Sequence, residues 1–147
     1  MSIWRKLHNP FAKPKRSTPD LRKSFILAHG GGEMWVANID NLEDNTDLIV
    51  AKIREDHHQL ISCHVMSHNV LYHLKDTHIT EEIANIMMEC FSDSAKQIKK
   101  LAFVGVDRHG RKILDKKLRE CINFKIIYKY FSSIDEAKDW LVSEGMH

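Results

Sequence analysis

Two short polar turns contain the side chains whose chemistry could serve binding or catalysis. Each turn follows a mostly apolar run of six residues, 69–74 before the first turn and 101–106 before the second. Carboxylates and imidazoles can transfer protons, and a hydroxyl at the start of a helix can carry a phosphoryl group. The candidate residues in the two turns are Asp76, Thr77, His78, Thr80, Asp107, Arg108 and His109.

No catalytic or metal-binding arrangement can be assembled from these turns or from the rest of the chain. A Ser-His-Asp or Cys-His type of triad is not recognisable. The histidine pair His64 and His68 has H-x-x-x-H spacing but lacks a third ligand at a recognised distance. The run Gly105–Gly110 lacks the Lys-Ser/Thr of a phosphate-binding loop. We therefore predict a protein that is not an enzyme, with no metal and no cofactor.

The elements that must position the two turns alternate between strands and amphipathic helices. The run Leu101–Val106 has no charge and lies between charged pairs, which indicates a strand buried on both faces. Helix-capping residues at 44–47, at Thr80 and at Ser133 each precede apolar side chains at helical spacing. Glycines at 30–32 separate two short apolar runs and predict a β-hairpin.

The order of these elements predicts the fold class. It reads hairpin, helix, strand, helix, strand, helix, strand, helix, and β-α crossovers would align the later strands in parallel. We therefore predict an α/β fold whose mixed β-sheet has a parallel centre. Because neighbouring parallel strands end at the same edge, the two polar turns are expected to lie side by side.

The charge distribution divides the chain into an extension and a body. Residues 1–24 contain seven basic residues and one acidic residue, so their net charge is 7 − 1 = +6, whereas the whole chain has +2. The remainder therefore has 2 − 6 = −4, which argues against nucleic-acid binding by the folded body. We predict a basic, proline-containing extension at 1–24 and a single α/β domain at 25–147.

The extension contains four apolar side chains that could share one side of a short helix. With its basic residues, this pattern is typical of a segment that contacts an anionic membrane surface. A flexible extension and a segment that packs on its own domain remain alternatives, because Pro10, Pro14 and Pro19 prevent a continuous helix. The four candidate membrane contacts are Ile3, Trp4, Leu7 and Phe11.

Cysteine usage and hydropathy predict where the protein resides. The three cysteines are widely spaced and include no C-x-x-C pair, which is typical of reduced thiols. The amino terminus lacks the apolar segment of a signal peptide, and no stretch approaches the roughly 20 apolar residues of a membrane span. We expect a cytoplasmic protein, with peripheral membrane contact as the alternative.

Three stretches resemble a known family: NVLYHLKDTHIT at 69–80, KKLAFVGVD at 99–107 and KIIYKYFSSIDEAKDWL at 125–141. Together with the long helix between the first two, they resemble the STAS superfamily, the fold of anti-sigma-factor antagonists. The chain is most similar to its divergent, SpoIIAA-like branch, over about residues 44–144. The most specific stretch is the closing one, which is a packing signature and carries no chemistry.

The resemblance implies regulation by binding, because STAS domains typically act as partner-switching modules, sensors or small-ligand binders. Many carry an Asp-Ser-Ser-Gly motif with a phosphorylatable hydroxyl where the second long strand turns into its helix, and that loop contacts the partner. This chain has Asp76, Thr77 and His78 there, so the position matches and the motif does not. Phosphorylation of Thr77 or Thr80 and plain helix capping both remain open.

These observations predict a non-enzymatic regulatory or interaction module. It is expected to bind a protein partner through the loops at Asp76–Thr80 and Asp107–Gly110. The alternative is a protein that binds a small apolar or lipid ligand. Such a protein could also contact a membrane peripherally through its basic extension. The sequence leaves the oligomeric state and the identity of the partner open.

Overall fold

A computed structural model describes residues 24–63, 68–121 and 126–143. The extension therefore lies outside the described residues, except for Ser24, and so do all four candidate membrane contacts. The elements in chain order are β1 (Phe25–His29), β2 (Gly32–Asn38), α1 (Thr46–Ser62), β3 (His68–His73), α2 (Glu81–Ser94), a 3-10 turn (Ala95–Gln97), β4 (Ile98–Val104), α3 (Arg108–Glu120), β5 (Ile127–Phe131) and α4 (Ile134–Val142).

The predicted glycine hairpin is confirmed. Strands β1 and β2 pair antiparallel up to His29 and Gly32, which leaves a two-residue loop. Both loop residues have left-handed backbones, with φ of 54° at Gly30 and 84° at Gly31. A two-residue hairpin with the natural twist of its strands requires positive φ at both loop positions, and glycine adopts it without steric cost.

The five strands form one sheet in the order β1-β2-β3-β4-β5. Only β1 is antiparallel to its neighbour, and β2 to β5 run in parallel. One row of side chains crosses the parallel strands from Trp35 through Val70 and Leu101 to Tyr128. The predicted α/β fold, with a mixed sheet and a parallel centre, is confirmed.

The helices cover the two faces of the sheet unequally. Helices α1, α2 and α3 pack on one face around Tyr72, Phe91 and Phe103, and α4 alone packs on the other. Strand β4 is buried on both faces, as predicted, because Leu101 and Phe103 contact the three-helix layer while Ala102 and Val104 contact the α4 layer. No helix of the described residues is long and apolar enough to cross a membrane.

Helix starts follow the predicted capping residues. The Asn45 side chain accepts a hydrogen bond from the Leu48 N–H at the start of α1, and the Ser133 hydroxyl does the same for Glu136 at the start of α4. Helix α1 ends at Ser62. Strand β5 lies within the closing stretch at 125–141 and begins at Ile127, and residues 122–125 lie outside the described part.

A buried lysine anchors α4 to the sheet. Lys100 on β4 is 1% exposed, and its Nζ donates to the Trp140 carbonyl at 2.9 Å and to the Ser143 carbonyl at 2.8 Å. Burial, with a smaller contribution from Lys99, lowers the pKa of Lys100. A cation at the carboxyl end of a helix is favoured by the exposed carbonyls there. The ammonium group therefore holds the only helix on this face of the described sheet.

We expect Val104→Asp to lower the free energy of unfolding by several kcal/mol or to unfold the domain. Val104 is 2% exposed. Burying a carboxyl without a hydrogen-bond partner costs roughly 2–7 kcal/mol, and a domain of this size has about 5–15 kcal/mol in total. Urea denaturation followed by circular dichroism measures the change.

Ile61→Asp is the matched control, because Ile61 is 38% exposed on α1. This variant should unfold close to the wild-type midpoint. A Val104→Asp protein with the wild-type denaturation curve would contradict the two-sided burial of β4.

Candidate functional site

The loops that follow β2, β3 and β4 meet at the carboxyl edge of the parallel strands. Open parallel sheets place ligand sites at this edge, outside the carboxyl ends of their strands. The loops surround a depression of about 530 Å³, named here the edge pocket. It is lined by Asn41, Glu43, Asp44, Asp76, Thr77, His78, Gly105 and Asp107.

The first two loops are joined by hydrogen bonds that continue the strand ladder past the ends of β2 and β3. The Asn41 N–H donates to the Lys75 carbonyl at 2.8 Å, and the Glu43 N–H donates to the Asp76 carbonyl at 2.8 Å. In return the His78 N–H donates to the Glu43 carbonyl at 2.7 Å. The walls of the pocket are therefore held by backbone bonds.

A partner contact or phosphorylation at Thr77 requires an exposed side chain, and the structure contradicts this requirement. Thr77 is 7% exposed, and its hydroxyl donates to the Ile39 carbonyl and accepts from the Leu42 N–H at 3.2 Å. Buried backbone groups need hydrogen-bond partners, and this hydroxyl provides an acceptor for one N–H and a donor for one carbonyl. The side chain therefore points into the junction between the loops, and a partner or a kinase cannot reach it without opening that junction.

The residues Thr80 and Asp107 are helix caps. The Thr80 hydroxyl accepts from the Ile83 N–H at 3.2 Å and begins α2, as predicted. The Asp107 carboxylate accepts from the Gly110 N–H at 2.7 Å and begins α3. Such bonds satisfy donors that the first helical turn leaves unpaired.

The structure brings the two predicted turns together. Asp76, His78 and Asp107 line the same pocket. The His78 and His109 rings are stacked, with centroids 6.2 Å apart and an interplanar angle of 20°. Arg108 is exposed as the first residue of α3 and does not line the pocket.

Sequence reasoning missed the contribution of the loop after β2, namely Asn41, Glu43 and Asp44. We interpreted the polar run at 44–47 only as a helix start. Because β2 lies beside β3 and parallel to it, this loop ends at the same edge as the turn at Asp76. The signal that could have identified it is the position of β2 in the sheet, which the sequence does not specify.

Backbone strain is concentrated in the pocket. Among the described residues, three non-glycine residues have positive φ: Asn41 at 60°, Glu43 at 50° and Asp76 at 59°. All three line the pocket. Left-handed backbone is uncommon outside glycine and costs least for Asn and Asp, so the Glu43 conformation is the most costly. Strain held in place by surrounding bonds is concentrated in binding and catalytic sites.

A glycine completes the wall formed by the loop after β4. Gly105 has φ of 84°, and a Cβ added there would lie 2.7 Å from the Cα of Lys75. Any side chain at this position would therefore push the two loops apart. The close approach of β3 and β4 at their carboxyl ends depends on this glycine.

The lining of the pocket is acidic. Its described lining residues include the carboxylates of Glu43, Asp44, Asp76 and Asp107 and no lysine or arginine. Asp107 caps α3, whereas the other three carboxylates are exposed and form no ion pair within the described ranges. Such a surface attracts a cationic group and repels a phosphate.

The described residues contain no group of three or more histidine, cysteine, aspartate and glutamate side chains that could hold a metal ion. Cys90 is enclosed in the three-helix layer, and burial raises the pKa of its thiol to about 11. Cysteine reactivity requires the thiolate, so Cys90 is inert at neutral pH.

Asp56 is a buried charged residue that the sequence analysis did not single out. It lies on α1, is 1% exposed, and accepts a hydrogen bond from the Trp35 indole at 3.0 Å. Burial raises the pKa of Asp56, and its neighbours Ser24, Trp35, Lys52 and His57 offset that increase only in part. Asp56 does not line the edge pocket, so we assign its raised pKa to packing beneath α1.

We expect Thr77→Val to lower the free energy of unfolding by about 1–3 kcal/mol, because the buried Leu42 N–H loses its partner. Thr77→Ser keeps the hydroxyl and should retain most of the stability. Urea denaturation of both variants provides the comparison. Equal stability of the valine variant and the wild type would show that the junction does not depend on this hydroxyl.

We expect Asp56→Asn to change how stability depends on pH. The pKa of Asp56 is raised above its ordinary value of 3.8 in the folded state, so the folded chain holds this proton more tightly than the unfolded chain. The stabilisation is complete below the unfolded pKa and is lost as the pH rises through the folded pKa. The asparagine variant should therefore gain stability relative to the wild type between about pH 3 and neutrality, by about 1.4 kcal/mol per unit of pKa difference.

Urea denaturation across this pH range measures the difference. Glu120→Gln is the control, since Glu120 is exposed at the end of α3. A constant stability difference between Asp56→Asn and the wild type at every pH would show that Asp56 does not titrate differently on folding.

Comparisons of this chain with protein-family models, with curated proteins and with solved structures give no match. The STAS-like resemblance therefore stays a prediction, and it rests on the three sequence stretches described above.

Proposed function

We propose that this protein is a non-enzymatic regulatory or interaction module that binds a protein partner through the edge pocket. One observation carries the proposal: a pocket held by backbone bonds combines strained residues with exposed carboxylates at Glu43 and Asp76 that form no ion pair within the described part of the chain. Backbone strain reduces stability, so its concentration at one acidic surface supports a role in binding.

The charge of the pocket favours a basic segment of the partner. A lysine or arginine side chain would find three carboxylates along the rim that form no ion pair with the described residues. Arginine can bond a carboxylate through two parallel N–H groups, which adds geometric specificity. A phosphate is disfavoured, since Glu81 and Glu82 also lie in the first turn of α2 beside the pocket.

Binding fits the pocket better than catalysis does. The hydroxyl that could act as a nucleophile there, that of Thr77, is committed to two backbone groups. Covalent catalysis requires a nucleophile that is accessible and paired with a base. The stacked His78 and His109 rings provide aromatic faces and polar ring nitrogens that a partner's side chain can contact.

The STAS-like assignment is part of the same proposal. Its support is the α/β architecture, in which the turn at Asp76 follows a parallel strand and precedes a long helix capped by Thr80. Phosphorylation of Thr77 is left out of the proposal, because the hydroxyl is buried. The contact surface proposed here is the rim of the edge pocket.

The test is capture of the partner from native cells, followed by measurement of its affinity for the wild type and for the double variant Glu43→Gln, Asp76→Asn. Both changes remove charge while retaining shape, and asparagine tolerates the left-handed backbone of Asp76. Each lost charge pair at an exposed rim is worth about 0.2–1 kcal/mol, so affinity should fall up to about fivefold per residue.

Salt dependence distinguishes loss of charge from general damage. The wild-type affinity should decrease as salt is added, and the double variant should respond less. Glu120→Gln is the matched control because it removes one carboxylate at the opposite end of α3 from the pocket. Equal affinity of all three proteins would move the functional surface elsewhere.

A further inference from the structure

The sheet face that carries α4 is only partly covered. Beside the helix lies an apolar groove of about 390 Å³, named here the α4 groove. Phe25 forms part of its wall and is 45% exposed. An exposed aromatic wall next to a buried core is typical of a surface that another segment covers. The lining residues are Phe25, Leu27, Val36, Asn38, Leu71, His73, Ile134 and Lys138.

We propose that residues 3–11 of the same chain dock in the α4 groove through their apolar side chains. These side chains are Ile3, Trp4, Leu7 and Phe11, and the first three recur at the spacing of one side of a short helix that ends before Pro10. A short amphipathic segment is marginal in water by itself and gains stability when its apolar side is buried. The groove supplies an apolar wall of matching chemistry.

The connection of the extension to the domain favours this occupant. The extension ends at Ser24, and the next residue, Phe25, begins β1 and lines the groove. The extension therefore joins the domain at the groove. Thirteen residues, 12–24, separate the apolar segment from β1. At about 3.1–3.4 Å per residue they can extend roughly 40 Å, which is more than sufficient to return the segment to the groove.

Tethering also lowers the affinity that docking requires. A segment on a short linker has an effective concentration on the order of millimolar at its site. A contact of a few apolar side chains, too weak to hold a separate peptide, can then be occupied most of the time. The proposal therefore needs only the modest apolar area that the groove offers.

Charge complementarity points to the same segment. Residues 1–24 have a net charge of +6, with Arg5 and Lys6 between the first apolar side chains. Helix α4 carries exposed Asp135, Glu136 and Asp139 against a single base, Lys138. An acidic helix at the border of the groove attracts a basic segment and orients it.

The test uses the full chain and compares amide chemical shifts by NMR in the wild type, Trp4→Glu and Asn9→Glu. Both variants add one negative charge to the segment, and only the first removes an apolar side chain. We expect Trp4→Glu to shift the amides of Leu27, Leu71 and Ile134, while Asn9→Glu leaves them at their wild-type positions. Amides of α3, on the other face of the sheet, should stay unchanged in both.

A reciprocal variant tests the contact from the groove. Phe25→Glu changes a half-exposed side chain, so we expect the domain to remain folded. The amides of residues 3–11 should then shift toward those of the Trp4→Glu protein. Identical spectra of residues 3–11 in the wild type and in Phe25→Glu would overturn the proposal.

Other occupants of the groove give different results, and each would overturn the proposal. Shifts that disappear on dilution would indicate a second copy of the chain. Shifts of residues 3–11 that require anionic phosphatidylglycerol vesicles, with no change at the groove, would indicate membrane contact. Decanoate that binds the wild type as tightly as it binds Trp4→Glu would show an open groove for an apolar ligand.

Discussion

The edge pocket depends on the hydroxyl of Thr77, which joins the loops that follow β2 and β3. In the first loop the hydroxyl donates to one backbone carbonyl and accepts from one backbone N–H. Four backbone hydrogen bonds, donated by Ile39, Asn41, Glu43 and His78, connect the same two chain segments. Gly105 then allows the third loop to approach Lys75. The strained conformations of Glu43 and Asp76 persist because this network over-determines them. A pocket built in this way is preorganised, which reduces the cost of ordering it when a partner binds.

The unequal coverage of the sheet explains why the domain has a second surface of interest. Three helices cover most of one face, where Ile26 of β1 stays exposed, and α4, with nine residues, must cover the other by itself. Lys100 fixes the carboxyl end of α4 by bonding its last carbonyls. Beside the helix Phe25 remains half-exposed, and together with Leu27 it lines the groove. The groove follows from the length and the anchoring of a single helix.

The two surfaces differ in the kind of partner that each suits. The edge pocket is acidic and includes His78, whose ring stacks on that of His109, and we propose that it takes a basic side chain. The groove is apolar and adjoins the start of β1, which favours a tethered segment with modest affinity. The acidic pocket also includes the position at which the resembled family has its Asp-Ser-Ser-Gly motif and this chain has Asp76, Thr77 and His78. The buried Thr77 and the neighbouring carboxylates are the reason that the proposed contact does not involve a phosphate.

The sequence by itself determined the local elements. The uncharged run at 101–106, the caps Asn45, Thr80 and Ser133, and the glycine hairpin depend on residues close together in the chain, so their pattern was sufficient. It also placed the turns at Asp76 and Asp107 at one edge, because parallel strands end together. Only the tertiary structure decided that Thr77 points inward, that the loop after β2 joins the pocket, and that Lys100 is buried while Lys99 is exposed. Those outcomes depend on which strand lies beside which and on which helix covers each face. Contacts between residues more than 30 positions apart, such as Thr77 with Ile39 and Lys100 with Trp140, leave no periodic signal in the sequence.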